Sequence, residues 1–236
     1  NIDKVPSHDL LVAGIPCQSF SNDGKREGLR DTRGTLFFAI ESIVQKHKPK
    51  VIIIENVQGL VTHDKGKTLE FMLSNFNSLG YLVDFEILNT LKFGLPQSRE
   101  RFFLVAIQQE LIQEEKWSKS LINLVEKRKG ELSHIRSFKM NFPFVNKPST
   151  IWDILEDEWD EKFLPSKRVT DALVLGQVDN HLKIQEGVKR GWSPAYYGDA
   201  VNTDFLGSKS RRGRIGSQIA NTLTATTSAN QSVVLK

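Results

Sequence analysis

One cysteine, Cys17, stands in the stretch Gly14-Ile15-Pro16-Cys17-Gln18-Ser19-Phe20-Ser21. A lone thiol forms neither an internal disulfide nor a cysteine metal cluster. It can be a buried small apolar residue, an incidental surface thiol, or a nucleophile. Ahead of it, Leu10-Leu11-Val12-Ala13 is an apolar run that predicts a buried strand. Gly14 and Pro16 end that run. The thiol therefore belongs at the carboxyl end of a strand, where open α/β sheets hold their ligands. Taken by itself, a plainly packed cysteine is the better account.

Three further groups of residues change the balance. Glu55-Asn56-Val57 closes the run Val51-Ile52-Ile53-Ile54, and a charge at the end of such a run has a partner or a task. An ion pair or a cap explains Glu55 alone as well as catalysis does. Arg99-Glu100-Arg101 precedes the apolar Phe102-Phe103-Leu104. In an extended chain the two guanidinium groups share one side, suited to an anion or a carboxylate. A solvated charged turn is the simpler account of that tripeptide. Finally, Lys189, Arg190, Trp192, Tyr196 and Tyr197 are followed by Lys209, Arg211, Arg212 and Arg214. Arginines among glycines and aromatics suit phosphate and base contacts, with a solvated loop as the competitor.

The elements that must position these residues follow from periodicity. Residues 8–16 read as a strand and its turn. Residues 18–33 carry seven charges and few apolar anchors, which predicts a long functional loop. Leu36, Phe37, Ile40, Ile43 and Val44 have helical spacing over 34–47, ended by Pro49. Val51–Ile54 reads as a strand buried on both faces of a parallel sheet. A helix is expected over 67–79 with Gly80 past its end, then strands near 81–88 and 102–107. The alternation predicts a doubly wound α/β sheet. Residues 109–135 read as helical and charged, 136–150 as a connector, and the acidic run 156–161 as a solvated helix face.

Composition sets bounds. The 236 residues suit one large domain or two modest ones. The formal charge of +4 is mildly basic and permits nucleic-acid binding. No apolar stretch is long enough to span a bilayer, and the opening Asn1-Ile2-Asp3-Lys4 is not a secretory signal. A reduced, cytoplasmic setting is expected. The absence of an initial methionine and the closing run Ser232-Val233-Val234-Leu235-Lys236 suggest a chain cut at both ends.

The order and spacing of the motifs are far more specific than any one of them. Gly-Ile-Pro-Cys-Gln-Ser-Phe-Ser, then Glu-Asn-Val, then Gly-Leu-Pro-Gln-Ser-Arg-Glu-Arg-Phe-Phe resembles the DNA cytosine-5 methyltransferases, in particular the small bacterial enzymes of restriction-modification systems. The resemblance runs densely through residues 8–107, including Gly28–Phe38. It resumes in Gly213-Arg214-Ile215 and Ala220-Asn221-Thr222-Leu223-Thr224-Ala225.

That resemblance implies a fold: an α/β, Rossmann-like (class I) S-adenosylmethionine methyltransferase sheet, here incomplete, with a smaller irregular β-rich target-recognition domain. The expected division is 1–108 catalytic, 109–165 helical connector and 166–236 target recognition. It also implies a mechanism on a cytosine flipped out of duplex DNA. Cys17 would attack carbon 6, Glu55 would hold and protonate ring nitrogen 3, and Arg99 with Arg101 would stabilise the thiolate and the developing charge. Pro16 and Leu36 match positions lining the S-adenosylmethionine cofactor, with simple helix core as the competing account of Leu36. Gln18, Ser21, Arg33, Arg211, Arg212 and Arg214 are the expected DNA contacts, with Arg26 and Arg30 on phosphates.

Two departures matter. The family opens with a strand and a Phe-x-Gly-x-Gly-type turn that binds the cofactor, and neither that turn nor the acidic residue of the second strand is present. The family's C-terminal segment is missing too. The chain is thus expected not to methylate alone, but with the missing parts supplied by a parent polypeptide or a complementary partner. Two other readings stand beside the enzyme: a DNA-binding or regulatory pseudoenzyme, and a tRNA methyltransferase.

Overall fold

The structure, a computed structural model, describes residues 2–15, 35–128, 130–145, 149–155, 167, 174–178, 181–203, 210, 212, 214–220 and 231–234. It has two compact units. One comprises Asn1–Leu88 with Glu100–Phe142, the other Asn89–Arg99 with Pro143–Lys236.

The first unit is an α/β sheet. β1 (Leu10–Gly14), β2 (Val51–Asn56), β3 (Tyr81–Asn89) and β4 (Glu100–Gln108) lie in the order β1-β2-β4-β3. β1 and β2 are parallel, with Gly14 opposite Glu55; β2 and β4 are antiparallel, with Glu55 opposite Phe103. The connection between β1 and β2 contains α1 (Thr35–His47), as a parallel pair requires. α2 (Lys67–Ser78) follows β2 and stops at Gly80, whose φ of +88° only glycine adopts without strain.

Alternation along the strands decides which face is dry. Ile52, Ile54, Phe102, Leu104 and Ala106 share one face and are fully buried. They form one core with Phe37, Ile40 and Val44 of α1 and Leu69, Met72, Leu73 and Phe76 of α2. Val51, Ile53, Val105 and Ile107 point the other way and are only half-buried. On the same side Leu10 is 53% and Val12 62% exposed. β2 is therefore not buried on both faces, and the sheet is mixed rather than purely parallel. Among the described residues the helices cover one face.

The expectation of a helix over 109–135 also needs correction. Among the described residues there, only α3 (Lys119–Lys127) and a single 3-10 turn at Gln109–Leu111 form. Tertiary hydrogen bonds compete with helix: the Lys116 amide donates to Ser137, and the Ser118 hydroxyl donates to the Asp84 carboxylate while accepting from the Leu121 amide. Gly130, at φ +84°, lies just past the helix.

The second unit is β-rich. β5 (Val174–Val178), β6 (His181–Gln185) and β7 (Trp192–Tyr196) form one antiparallel sheet; β8 (Ala200–Asn202), β9 (Ile215–Gly216) and β10 (Gln231–Val233) form another. A small core contains Ile184, Ala195 and Val201. The acidic run 156–161 lies outside the described residues. Among those described, no helix is long and apolar enough to cross a membrane.

Candidate active site

The carboxyl ends of β1 and β2 lie side by side. Glu55 projects from the open face of the sheet, where its neighbour across the ladder is Gly14. A Cβ at Gly14 would stand 3.6 Å from Glu55 Oε2, so glycine leaves the carboxylate room. Arg101 lies on the same face of β4, one diagonal step from Glu55, and its Nε is 3.1 Å from Glu55 Oε1. The Arg101 side chain is 21% exposed and that of Glu55 38%. Arg101 also donates to the Glu100 carbonyl at 2.7 Å, which fixes the guanidinium plane. The pair is thus fixed by its contacts yet reachable from solvent.

Asn56, the next residue, points to the packed face and is 1% exposed. Its Nδ2 donates to the Ile15 carbonyl at 3.3 Å and its Oδ1 accepts from the Val57 amide at 2.8 Å. Its place in the motif was visible in the sequence; its task was not, because only strand alternation separates it from Glu55.

Arg99 belongs to the excursion 89–99 of the second unit. The Thr90 amide donates to the Arg99 carbonyl, and the Arg99 amide donates to Thr90 Oγ1, both at 3.1 Å. Thr90 Oγ1 in turn donates to the Gln97 carbonyl. Asn89 closes the base of the excursion, accepting from the Leu91 amide and donating to Ser98 Oγ. The Ser98 amide donates to Ala220, whose own amide donates to Pro96. The Gly94–Arg101 motif and the start of the Ala220–Ala225 motif, remote in sequence, are thus joined.

The remaining expected site residues fall out differently. Pro16, Cys17, Gln18, Ser21, Arg26, Arg30, Arg33 and Arg211 lie outside the described residues. Leu36, on the first turn of α1, is 43% exposed and is not helix core; its neighbour Phe37 fills that role. Arg212 is exposed, its Nε donating to the Gly187 carbonyl at 2.8 Å. Arg214 is a correction: it is 1% exposed, its amide donating to buried Glu186 and its guanidinium to the Asn202 carbonyl. It is an interior residue of the β-rich unit, and the surface place expected for a phosphate contact is not where it lies.

Sequence reasoning named Arg190 and Trp192 but missed the cluster they join. Trp192 carries Arg190 on its ring at 4.2 Å and Lys183 at 4.8 Å, and stacks with His181 at 6.0 Å. The β6–β7 pairing places His181, Lys183 and Trp192 on one face. Among the described residues no group of three or more His, Cys, Asp or Glu could hold a metal ion.

The family model for the C-5 cytosine-specific DNA methylases matches residues 1–231. The chain is 40% identical over 176 residues to the orphan methyltransferase M.SPRI of Bacillus phage SPR, covering 72% of the chain and 40% of that protein. It is 41% identical over 192 residues to the type II methyltransferase M.BanI of Aneurinibacillus aneurinilyticus, covering 80% and 42%. With M.HaeII of Haemophilus aegyptius, identity is 52% over 107 residues, covering 45% and 34%. A crystal structure of a Spodoptera frugiperda DNMT2 mutant overlaps 71% of this chain and 46% of its own, with TM-score 0.48 and 23% identity. The chain spans less than half the length of these three relatives.

Proposed function

The chain belongs to the C-5 cytosine-specific DNA methylase family, and from that premise we propose that it is the nucleophile-bearing and recognition portion of an enzyme that methylates carbon 5 of a flipped-out cytosine in duplex DNA. The observation that carries this reading is the Glu55–Arg101 pair at the sheet's carboxyl end, with Cys17 three residues past Gly14 on the adjacent strand.

Cytosine is a poor nucleophile at carbon 5. Addition of the Cys17 thiolate to carbon 6 makes the Sγ–C6 bond and pushes an electron pair toward ring nitrogen 3. Glu55, protonated at that stage, donates to nitrogen 3 and so removes the developing charge. Arg101 Nε holds one carboxylate oxygen, which leaves the other to face the base. Carbon 5 is then electron-rich. The methyl group it accepts comes from S-adenosylmethionine when that cofactor is bound. Loss of the carbon-5 proton to a base re-forms the double bond and expels the Cys17 thiolate, and nitrogen 3 returns its proton to Glu55. Arg99 is the second cation assigned to the base and its phosphate.

The residues described here fit the cofactor only in part. Exposed Leu36 offers apolar surface, and Pro16 is the second contact expected. No described residue supplies a glycine-rich turn with an acidic partner for the ribose. The cofactor half of the site is therefore assigned to sequence beyond these residues, in a parent chain or a partner.

Covalent trapping tests the proposal. Duplex DNA containing 5-fluorocytosine, with S-adenosylmethionine, is incubated with this chain and with a longer parent polypeptide, then run on a denaturing gel. An adduct that disappears in Cys17→Ser supports the reading. An adduct retained in Cys17→Ser removes the nucleophile assignment. No adduct from the folded parent on a broad set of duplexes sinks the enzyme reading in favour of a binding module.

A further inference from the structure

β1 ends at Gly14, yet the next residue is still held. The Ile15 amide donates to the Glu55 carbonyl at 3.3 Å, continuing the parallel ladder by one bond. There the strand partner runs out, and a side chain takes its place: Asn56 Nδ2 reaches the Ile15 carbonyl. Consecutive residues 55 and 56 thus grip Ile15 at both its donor and its acceptor. Ile15 is 5% exposed and part of the main core, so the grip is shielded from water. Two residues later comes Cys17.

An amide is the group this position needs. Asn56 donates on one side, to Ile15, and accepts on the other, from the Val57 amide. Leucine of similar size would leave both buried backbone groups without a partner. Aspartate would keep the bond from Val57 but set an oxygen against the Ile15 carbonyl. Glutamine would carry the amide one methylene too far for a packed site.

We propose, on the basis of the function argued above, that Asn56 is a positioning residue that ties Ile15, two residues ahead of Cys17 in sequence, to the end of β2. Nucleophile and acid then share one reference frame. The Glu55 side chain departs to the open face, and Ile15 is bonded to the Glu55 carbonyl through its amide and to Asn56 through its carbonyl. A shift of the β2 end carries Ile15 with it, so the point from which the nucleophile's segment starts keeps its place relative to Glu55. Asn56 touches no substrate in this scheme.

The test uses the parent polypeptide with Asn56→Asp and Asn56→Leu. Three quantities are read: the single-turnover rate of adduct formation on 5-fluorocytosine duplex, the Kd for that duplex, and amide exchange over residues 15–18, each alongside the melting temperature. In Asn56→Asp, which keeps the Val57 bond, adduct formation falls at least tenfold, Kd stays within twofold, and exchange over 15–18 quickens at least tenfold. Asn56→Leu behaves likewise and also melts lower. A native adduct rate per folded molecule in both variants, with only the melting temperature lowered, reduces Asn56 to a packing residue and overturns the proposal. If the native parent forms no adduct, the enzyme reading fails, and amide exchange alone decides the positioning claim. Faster exchange in Asn56→Asp supports it, and unchanged exchange overturns it.

Discussion

Asp84 offers a sharp test of how the first unit is held together. It lies in β3 at 1% exposure, and its carboxylate accepts from the Met140 amide at 2.9 Å, the Ser118 hydroxyl at 2.5 Å and the Phe85 amide at 2.8 Å. One of these donors, Ser118, comes from the segment expected to be a long helix, and another, Met140, from the connector that follows it. Asp84→Ala removes all three bonds. At about 1 kcal/mol net each, the loss is about 3 kcal/mol, and relief of the buried charge offsets part of it, leaving about 2 kcal/mol. Asp84→Asn retains one acceptor and a donor that Ser118 can meet, so its loss is about 1 kcal/mol. The pH dependence separates charge from shape. Burial is the largest influence on Asp84 and raises its pKa above the ordinary carboxylate value, against the pull of its three donors. Between the unfolded and the raised folded pKa the folded state binds more protons. Stability contributed by Asp84 is therefore highest at acid pH, falls as pH rises through that window, and is level beyond it. Urea unfolding followed by tryptophan fluorescence at several pH values from about 4 to 7 measures this. The difference between native protein and Asp84→Asn should shrink as pH rises. A difference that is flat or grows with pH refutes the account of a carboxylate strained by burial, as does a loss under about 0.5 kcal/mol in Asp84→Ala.

Other consequences are open to the same kind of measurement. Gly198 has φ +91°, and a Cβ there would run into the Trp152 indole, so Gly198→Ala should destabilise the β-rich unit by about 2–4 kcal/mol in thermal unfolding, from backbone strain and overpacking together. Arg101→Met removes the partner of Glu55; because both groups are partly exposed, stability should change by less than about 1 kcal/mol while trapping on 5-fluorocytosine duplex falls at least about tenfold. Arg214→Met should lower stability by about 3 kcal/mol, since it strips a buried site of its hydrogen bonds, whereas exposed Arg212→Ala should stay within about 0.5 kcal/mol.

The strands and helices that frame the site were legible because each carries its own period. Leu36–Val44 and Leu69–Phe76 announce helices, and Gly80 announces an end that its left-handed backbone confirms. The apolar run of β2 gave the strand but misled about its environment. Four β-branched residues in a row do not say that Ile52 and Ile54 are dry while Val51 and Ile53 are half-open; that depends on which elements cover each face. Residues 109–135 failed for a related reason. Their charged composition favours helix locally, yet the Ser137 carbonyl captures the Lys116 amide and the Asp84 carboxylate captures the Ser118 hydroxyl across the fold. At the site, the ion pair of Glu55 with Arg101 was half readable. The sequence put Arg99 and Arg101 on one side of a single extended segment, but β4 begins only at Glu100, and Arg101's choice of partner follows from the β2–β4 register, which no single segment encodes. Arg214 was misplaced because a lone arginine among glycines looks the same in sequence whether it meets phosphate or a buried carbonyl.

The second unit is assembled from two separated pieces of chain, and that has a consequence for timing. Residues 89–99 emerge from the ribosome between two strands of the first unit, but their partner at Ala220 has not yet been made. At about 5–20 residues per second, the excursion waits on the order of ten seconds, with Phe93 and Leu95 on its surface, while the sheet around it can already close. The late bonds from Ser98 to Ala220 and from Ala220 to Pro96 then make closure of the β-rich unit later than closure of the sheet. A ribosome stalled before Ala220 would hold the four strands β1–β4 while residues 89–99 still lack their partner at Ala220.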